Sequence, residues 1–242
     1  MGSQSLSISR NRIDLVSIPY SSVQQRCMPD TAENRCNSTC DSNSDEFKRV
    51  NSIEIGETRK PTANPLHKAV LYCNNLKLWG YKAEYNMGIN GSNARESDIC
   101  LARYSQKAAS DIDEMNGCYT GVKYALWNSG VIKDYADMPK GSAYRAAEYF
   151  DAHPDQFKKL DVQADDLQKL PAGRIIVYKQ DGEHGHIAIT NGNGQEMSDC
   201  TDNMKWLESH GKNATFSVYE LTDNWKYNPD TKKLEFSADK KE

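Results

Sequence analysis

The period of the apolar positions changes partway along the chain. From Pro65 to Trp79 (PLHKAVLYCNNLKLW), Leu66, Val70, Cys73 and Leu76 recur three or four residues apart, which predicts a helix stopped by Gly80. Asp98 to Met115 has a helical run through Ile99, Leu101, Ala102 and Ile112, and Cys118 to Asn128 has another through Val122, Ala125 and Leu126, ended by Gly130. Ser142 to Phe150 predicts one more short helix. Beyond it the pattern becomes β-branched: Arg174 to Tyr178 (RIIVY) and His186 to Thr190 (HIAIT) are bounded by glycine, and Phe216 to Leu221 (FSVYEL) follows, all predicting strands. Helices first and an antiparallel sheet after them predict an α+β domain, its N-terminal helices packed on a small sheet.

The ends differ in character. Residues 1–45 hold ten serines and one aromatic, Tyr20, too little apolar surface to offset chain entropy, so a polar, disordered arm is expected. Residues 46–228 are expected to form the folded domain, and the Lys-rich stretch 229–242 to fray. Charge is mixed, 30 Lys plus Arg against 34 Asp plus Glu, without the cationic face of a nucleic-acid binder. No apolar run approaches the roughly 20 residues of a bilayer span. The N-terminus lacks a basic stretch followed by an apolar run, so synthesis in the cytoplasm without a signal peptide is expected.

Seven cysteines leave at least one thiol unpaired. Cys27, Cys36 and Cys40 fall in the arm, without a fourth ligand for zinc, and Cys73 and Cys100 lie within helical apolar patterns. Cys118 follows Asn116-Gly117 and opens a helix, where unpaired N–H groups and the helix dipole favour the anionic, nucleophilic form of a thiol. A thiolate nucleophile needs a base, normally a histidine oriented by a third polar group. Among the five histidines, His186 opens a strand that can fix its ring. The tract Asn191-Gly192-Asn193-Gly194 predicts a tight hairpin turn. Centred on Gly192-Asn193, it sets Asp199 opposite His186 as the orienting carboxylate; centred elsewhere it does not, and Ser198, Glu196 and Asn191 are then the substitutes.

These segments, GCYTGVKYALWNSGV, LPAGRIIVY and GHIAITNGNGQ, resemble in order and spacing the papain-like cell-wall cysteine peptidases and amidases of the NlpC and CHAP groups. Cys118, Gly173, Gly185 and His186 match the family pattern, and Asp199 falls where those families carry a third polar residue. The resemblance covers about residues 111–218. It departs in Gly117-Cys118-Tyr119-Thr120-Gly121 at the nucleophile and in Arg174, which stands where an Asp usually follows the glycine; Tyr104 is the candidate for an oxyanion-assisting tyrosine. The resemblance implies a cofactor-free cysteine hydrolase cleaving an amide bond, with the peptidoglycan stem peptide as substrate. With no signal peptide, it further implies either a phage lysin or, as the Ser-rich arm fits better, a toxin injected by a specialised apparatus into a target-cell periplasm, with a cognate immunity protein in the producer. Three readings compete: a metal site from His184, His186, Asp199 and Cys200, a papain-like effector acting on a protein as protease or glutamine deamidase, and a non-enzymatic binding domain.

Overall fold

In a computed structural model, residues 45–59, 86–112 and 117–237 are described. The polar arm before Asp45, with Cys27, Cys36 and Cys40, and the helix expected over Pro65–Trp79, with Cys73, lie outside them.

A helix with no counterpart among the sequence patterns, α1 (Asp45–Ser52), comes first, and the helical patterns then become α2 (Glu96–Ile112), α3 (Cys118–Ser129) and α4 (Ala146–Ala152). In α3, Val122, Ala125 and Leu126 are fully buried, and the helix ends where Gly130 takes a left-handed conformation and caps the carbonyls of Leu126 and Trp127. The β-branched runs form β2 (Ile175–Lys179), β3 (His186–Thr190) and β6 (Thr215–Leu221). Shorter strands complete an antiparallel sheet: β1 (Phe157–Leu160), β4 (Gln195–Met197) and β5 (Thr201–Asn203), in the order β1-β6-β2-β3-β4-β5. A short helix, α5 (Trp206–His210), separates β5 from β6. The fold is therefore mixed helix and antiparallel sheet.

Alternation along the strands divides the sheet into two faces. Ile175, Val177, Ile187, Ile189 and Met197 join Val122, Ala125 and Leu126 of α3 and Ile99 and Leu101 of α2 in the main core. Ile176, Tyr178 and Val218 turn the other way, onto Leu167, Met204 and Trp206 in a smaller core. Helix α3 thus backs onto one face, while the even-numbered positions of β2 and β3 supply the other.

The expected frayed tail needs correction. β7 (Trp225–Asn228) pairs with β8 (Lys233–Phe236), and Leu234 is buried in the main core. Alternating Leu234 and Phe236 sit among charged neighbours, and Phe236 stands opposite Trp225 with ring centroids 5.1 Å apart. The lysines of this stretch mask a half-buried hairpin through Phe236, and residues 238–242 lie outside the described residues.

Candidate active site

Cys118 occupies the first turn of α3, directly after Gly117, which has no side chain to cap the helix. The N–H groups of that turn are thus left without a side-chain acceptor, as an anion-binding helix start requires. Close packing fixes where this turn sits. A Cβ on Gly121 would lie 2.1 Å from the Ser198 carbonyl oxygen and 2.7 Å from the Asp199 nitrogen, so only glycine lets α3 approach the β4–β5 connection.

His186 is brought to this thiol from the far side of the sequence. Gly185 before it has φ +67°, and a Cβ there would strike the Tyr178 carbonyl oxygen at 2.3 Å, so β3 enters the sheet tight against β2. Burial alone works against a charge on the ring, but Cys118 and then Glu196, both in interacting range, outweigh it and hold the imidazole well above its usual pKa. Nε2 of His186 lies 3.3 Å from Oε1 of Glu196, whose side chain is almost wholly enclosed. Tyr178 completes the arrangement: its hydroxyl donates to Oε2 of Glu196 at 2.8 Å, and its ring stacks on His186 at 5.7 Å between centroids. Trp206 lies 4.9 Å from Tyr178 on the smaller-core face.

The carboxylate on the imidazole is therefore Glu196 and not Asp199. The register explains why. Thr190 pairs with Glu196 and Ile189 with Met197, and the Asn191 N–H donates to the Gln195 carbonyl at 3.1 Å, which makes Gly192-Asn193-Gly194 a three-residue loop. A two-residue turn centred on Gly192-Asn193 would have put Glu196 opposite Ile189, facing the main core. One added loop residue moves it to the face of Thr190 and His186. Asp199 falls beyond the ladder, in the β4–β5 connection, where it accepts a hydrogen bond from the Ser198 hydroxyl at 3.0 Å.

Other candidates are placed elsewhere. Tyr104 is buried with its hydroxyl engaged by the Lys232 carbonyl at 2.8 Å and the Gly56 N–H at 3.0 Å, so it joins α2 to the β7–β8 hairpin rather than assisting an oxyanion. His184 shares its Nδ1 with the Ser142 hydroxyl at 2.9 Å. Arg174 reaches Asp98 at 3.0 Å and Glu220 at 3.2 Å, which accounts for an arginine at that position. Among the described residues, no group of three or more His, Cys, Asp or Glu side chains is arranged to hold a metal ion.

Comparison with family models, with curated proteins and with solved structures finds no match to this chain.

Proposed function

We propose that this chain is a papain-like cysteine hydrolase that cleaves an amide bond, with Cys118 as nucleophile, His186 as acid and base, and Glu196 as the orienting carboxylate. The observation that carries the reading is the convergence of a thiol at an uncapped helix start, an imidazole at a strand start and a buried carboxylate 3.3 Å behind it. Glu196 occupies Nε2 of His186, which leaves Nδ1, on the other edge of the ring, to exchange a proton with the thiol. Cys118 attacks the carbonyl as the thiolate, and the tetrahedral oxyanion is met by first-turn N–H groups of α3. His186 then protonates the leaving amine and afterwards takes a proton from the water that releases the acyl group. The carbonyl substrate is assigned to the stem peptide of bacterial peptidoglycan, with action in a target-cell periplasm; this rests on the order and spacing of the Cys118, Gly173 and Gly185-His186 segments.

The test is incubation of purified muropeptides with the wild-type protein and with Cys118→Ala and His186→Ala, followed by mass spectrometry of the products. New cleavage products with the wild type and none with either variant, at unchanged circular dichroism, are expected. Full cleavage by Cys118→Ala would remove the nucleophile, and an intact muropeptide set with the wild type would remove the substrate.

A further inference from the structure

Tyr178 holds one oxygen of Glu196, and its own ring must be held in turn. The hydroxyl sits at the end of a long rigid side chain, so a small swing of the ring would carry it out of hydrogen-bonding range of Oε2. On the smaller-core face the ring borders a hollow of about 290 Å³, lined also by Leu167, Gln168, Met204 and Leu207, so close packing alone does not fix it there. The aromatic neighbours do. Tyr178 stacks on His186 at 5.7 Å with planes 22° apart, and Trp206 stacks on Tyr178 at 4.9 Å with planes 29° apart. Trp206 is braced by His210, four residues along α5, with centroids 4.0 Å apart and planes within 13°. Nδ1 of His210 donates to the Trp206 carbonyl at 2.8 Å, and its Nε2 lies 3.7 Å from Glu183. A series of rings thus runs from His186 through Tyr178 and Trp206 to the last residue of a five-residue helix.

We infer that Trp206 is a positioning residue for the reaction: its indole holds the Tyr178 ring, the Tyr178 hydroxyl holds Glu196, and Glu196 holds His186. Resting on the Cys118–His186–Glu196 reading, this adds a support that the sheet itself does not supply. Among the described ring pairs, Trp206 meets Tyr178 and His210 and not His186, so its influence on the imidazole passes through Tyr178. A reacting group keeps its geometry when the side chains behind it each have one packed position. Without a ring at position 206, the phenol is free to turn into the hollow, and Glu196 loses the donor on its Oε2. The carboxylate then no longer keeps one orientation toward Nε2, the imidazolium is held less well, and less of Cys118 is thiolate at a given pH.

The experiment follows alkylation of Cys118 by iodoacetamide against pH in the full chain, read at the Cys118 peptide by mass spectrometry so that other thiols do not contribute. Trp206→Leu keeps an apolar side chain in the smaller core and removes the ring, whereas Trp206→Phe keeps a ring. At unchanged circular dichroism, Trp206→Leu is expected to slow alkylation at neutral pH by about tenfold, the size of one hydrogen bond to a charged group, and to move the acid limb of the profile to higher pH. Trp206→Phe should bring both back toward the wild type. In a Tyr178→Phe background, where the hydroxyl is already gone, Trp206→Leu should add less than about twofold. A Trp206→Leu profile that superimposes on the wild type, or an undiminished effect in the Tyr178→Phe background, would overturn the inference. Should Trp206→Leu fail to fold, Tyr178→Phe decides, because it keeps every ring and removes only the hydroxyl: a displaced profile supports the inference and an unmoved one overturns it. His186→Ala in the same assay tells the two levels apart. If it leaves the wild-type profile unchanged, the Cys118–His186 pairing fails and Trp206 with it; a profile that responds to His186→Ala and not to Trp206→Leu removes Trp206 alone.

Discussion

Two buried charge clusters sit on the same sheet and are built on opposite terms. In one, Asp98, with a side chain wholly shielded from solvent, is gripped by Arg95 at 2.8 Å and Arg174 at 3.0 Å, and Arg174 also reaches Glu220. In the other, Glu196 lies 3.3 Å from the His186 imidazole, with Asp202 opposed to Glu196 across the β4–β5 ladder. Guanidinium groups stay charged at any pH a protein meets, so the first cluster is neutralised permanently and serves to tie α2 to β2 and β6. In the second, the cation facing Glu196 exists only when His186 holds a proton. A buried cluster balanced by a fixed cation is architecture, whereas one balanced by a titratable cation can move a proton during a reaction.

The largest effect expected from disturbing this contrast follows Glu196→Gln. The Tyr178 hydroxyl can still donate to the amide oxygen, but the amide nitrogen then points a donor at Nε2 of His186. That forces the ring to accept at Nε2 and to keep its proton at Nδ1, the wrong tautomer for taking a proton from the thiol. Loss of turnover by about 10²–10⁴-fold is expected, in line with other triads whose carboxylate is changed to an amide. Muropeptide cleavage rates measure it. The same variant carries a stability signature. A histidine whose pKa is raised by folding contributes stability that is fully present below its unfolded pKa, about 6.5, and is lost as pH rises through the folded value. Wild-type unfolding free energy from urea titrations should fall in that alkaline direction because of His186, and the fall should shrink in Glu196→Gln because one cause of the raised pKa is removed.

Arg174→Met disturbs the other cluster and should do the reverse. It leaves Glu220 and the enclosed Asp98 each without one cation, and breaking a buried pair from one side costs about 3 kcal/mol. Arg95 still holds Asp98, which keeps the loss from being larger. Denaturant unfolding should show that loss across neutral pH, while turnover per folded molecule stays near the wild-type value. A variant that kept its stability and lost its turnover would abolish the distinction between the clusters.

How much of this was readable in advance follows from the range over which each signal acts. Helices α2 and α3 and strands β2, β3 and β6 each repeat an apolar period over enough residues to be seen locally. Cys118 and His186 were visible because each sits at the start of such an element. Strands β4 and β5 span Gln195–Met197 and Thr201–Asn203, too few residues to show a period, and they carry Glu196 and Asp202. Tyr178 was read as a strand residue, and only the pairing of Tyr178 with His186 across β2 and β3 reveals that it stands beside the ring. The partner of Arg174 is equally remote: Asp98 lies in a different element, and no local pattern joins them. The β7–β8 hairpin was hidden by its lysines.

Asp199→Asn should produce the smallest effect, and it tests the parity of one loop. Asn-Gly-Asn-Gly offers three frames for a two-residue turn, and one of them aims Asp199 at His186. The loop instead closes over Gly192, Asn193 and Gly194, with φ of +82° and +75° at its glycines, and the side-chain oxygen of Asn191 accepts from the Asn193 and Gln195 N–H groups at 2.8 and 3.1 Å. Those two hydrogen bonds favour the longer loop over a two-residue turn, and the longer loop hands the imidazole to Glu196. An asparagine at 199 retains an oxygen for the Ser198 hydroxyl, so stability should change by less than about 1 kcal/mol. Turnover should fall far less than in Glu196→Gln. If muropeptide cleavage instead dropped as far in Asp199→Asn as in Glu196→Gln, the catalytic carboxylate would have to be sought in the β4–β5 connection, and the three-residue loop would not be the feature that selects it.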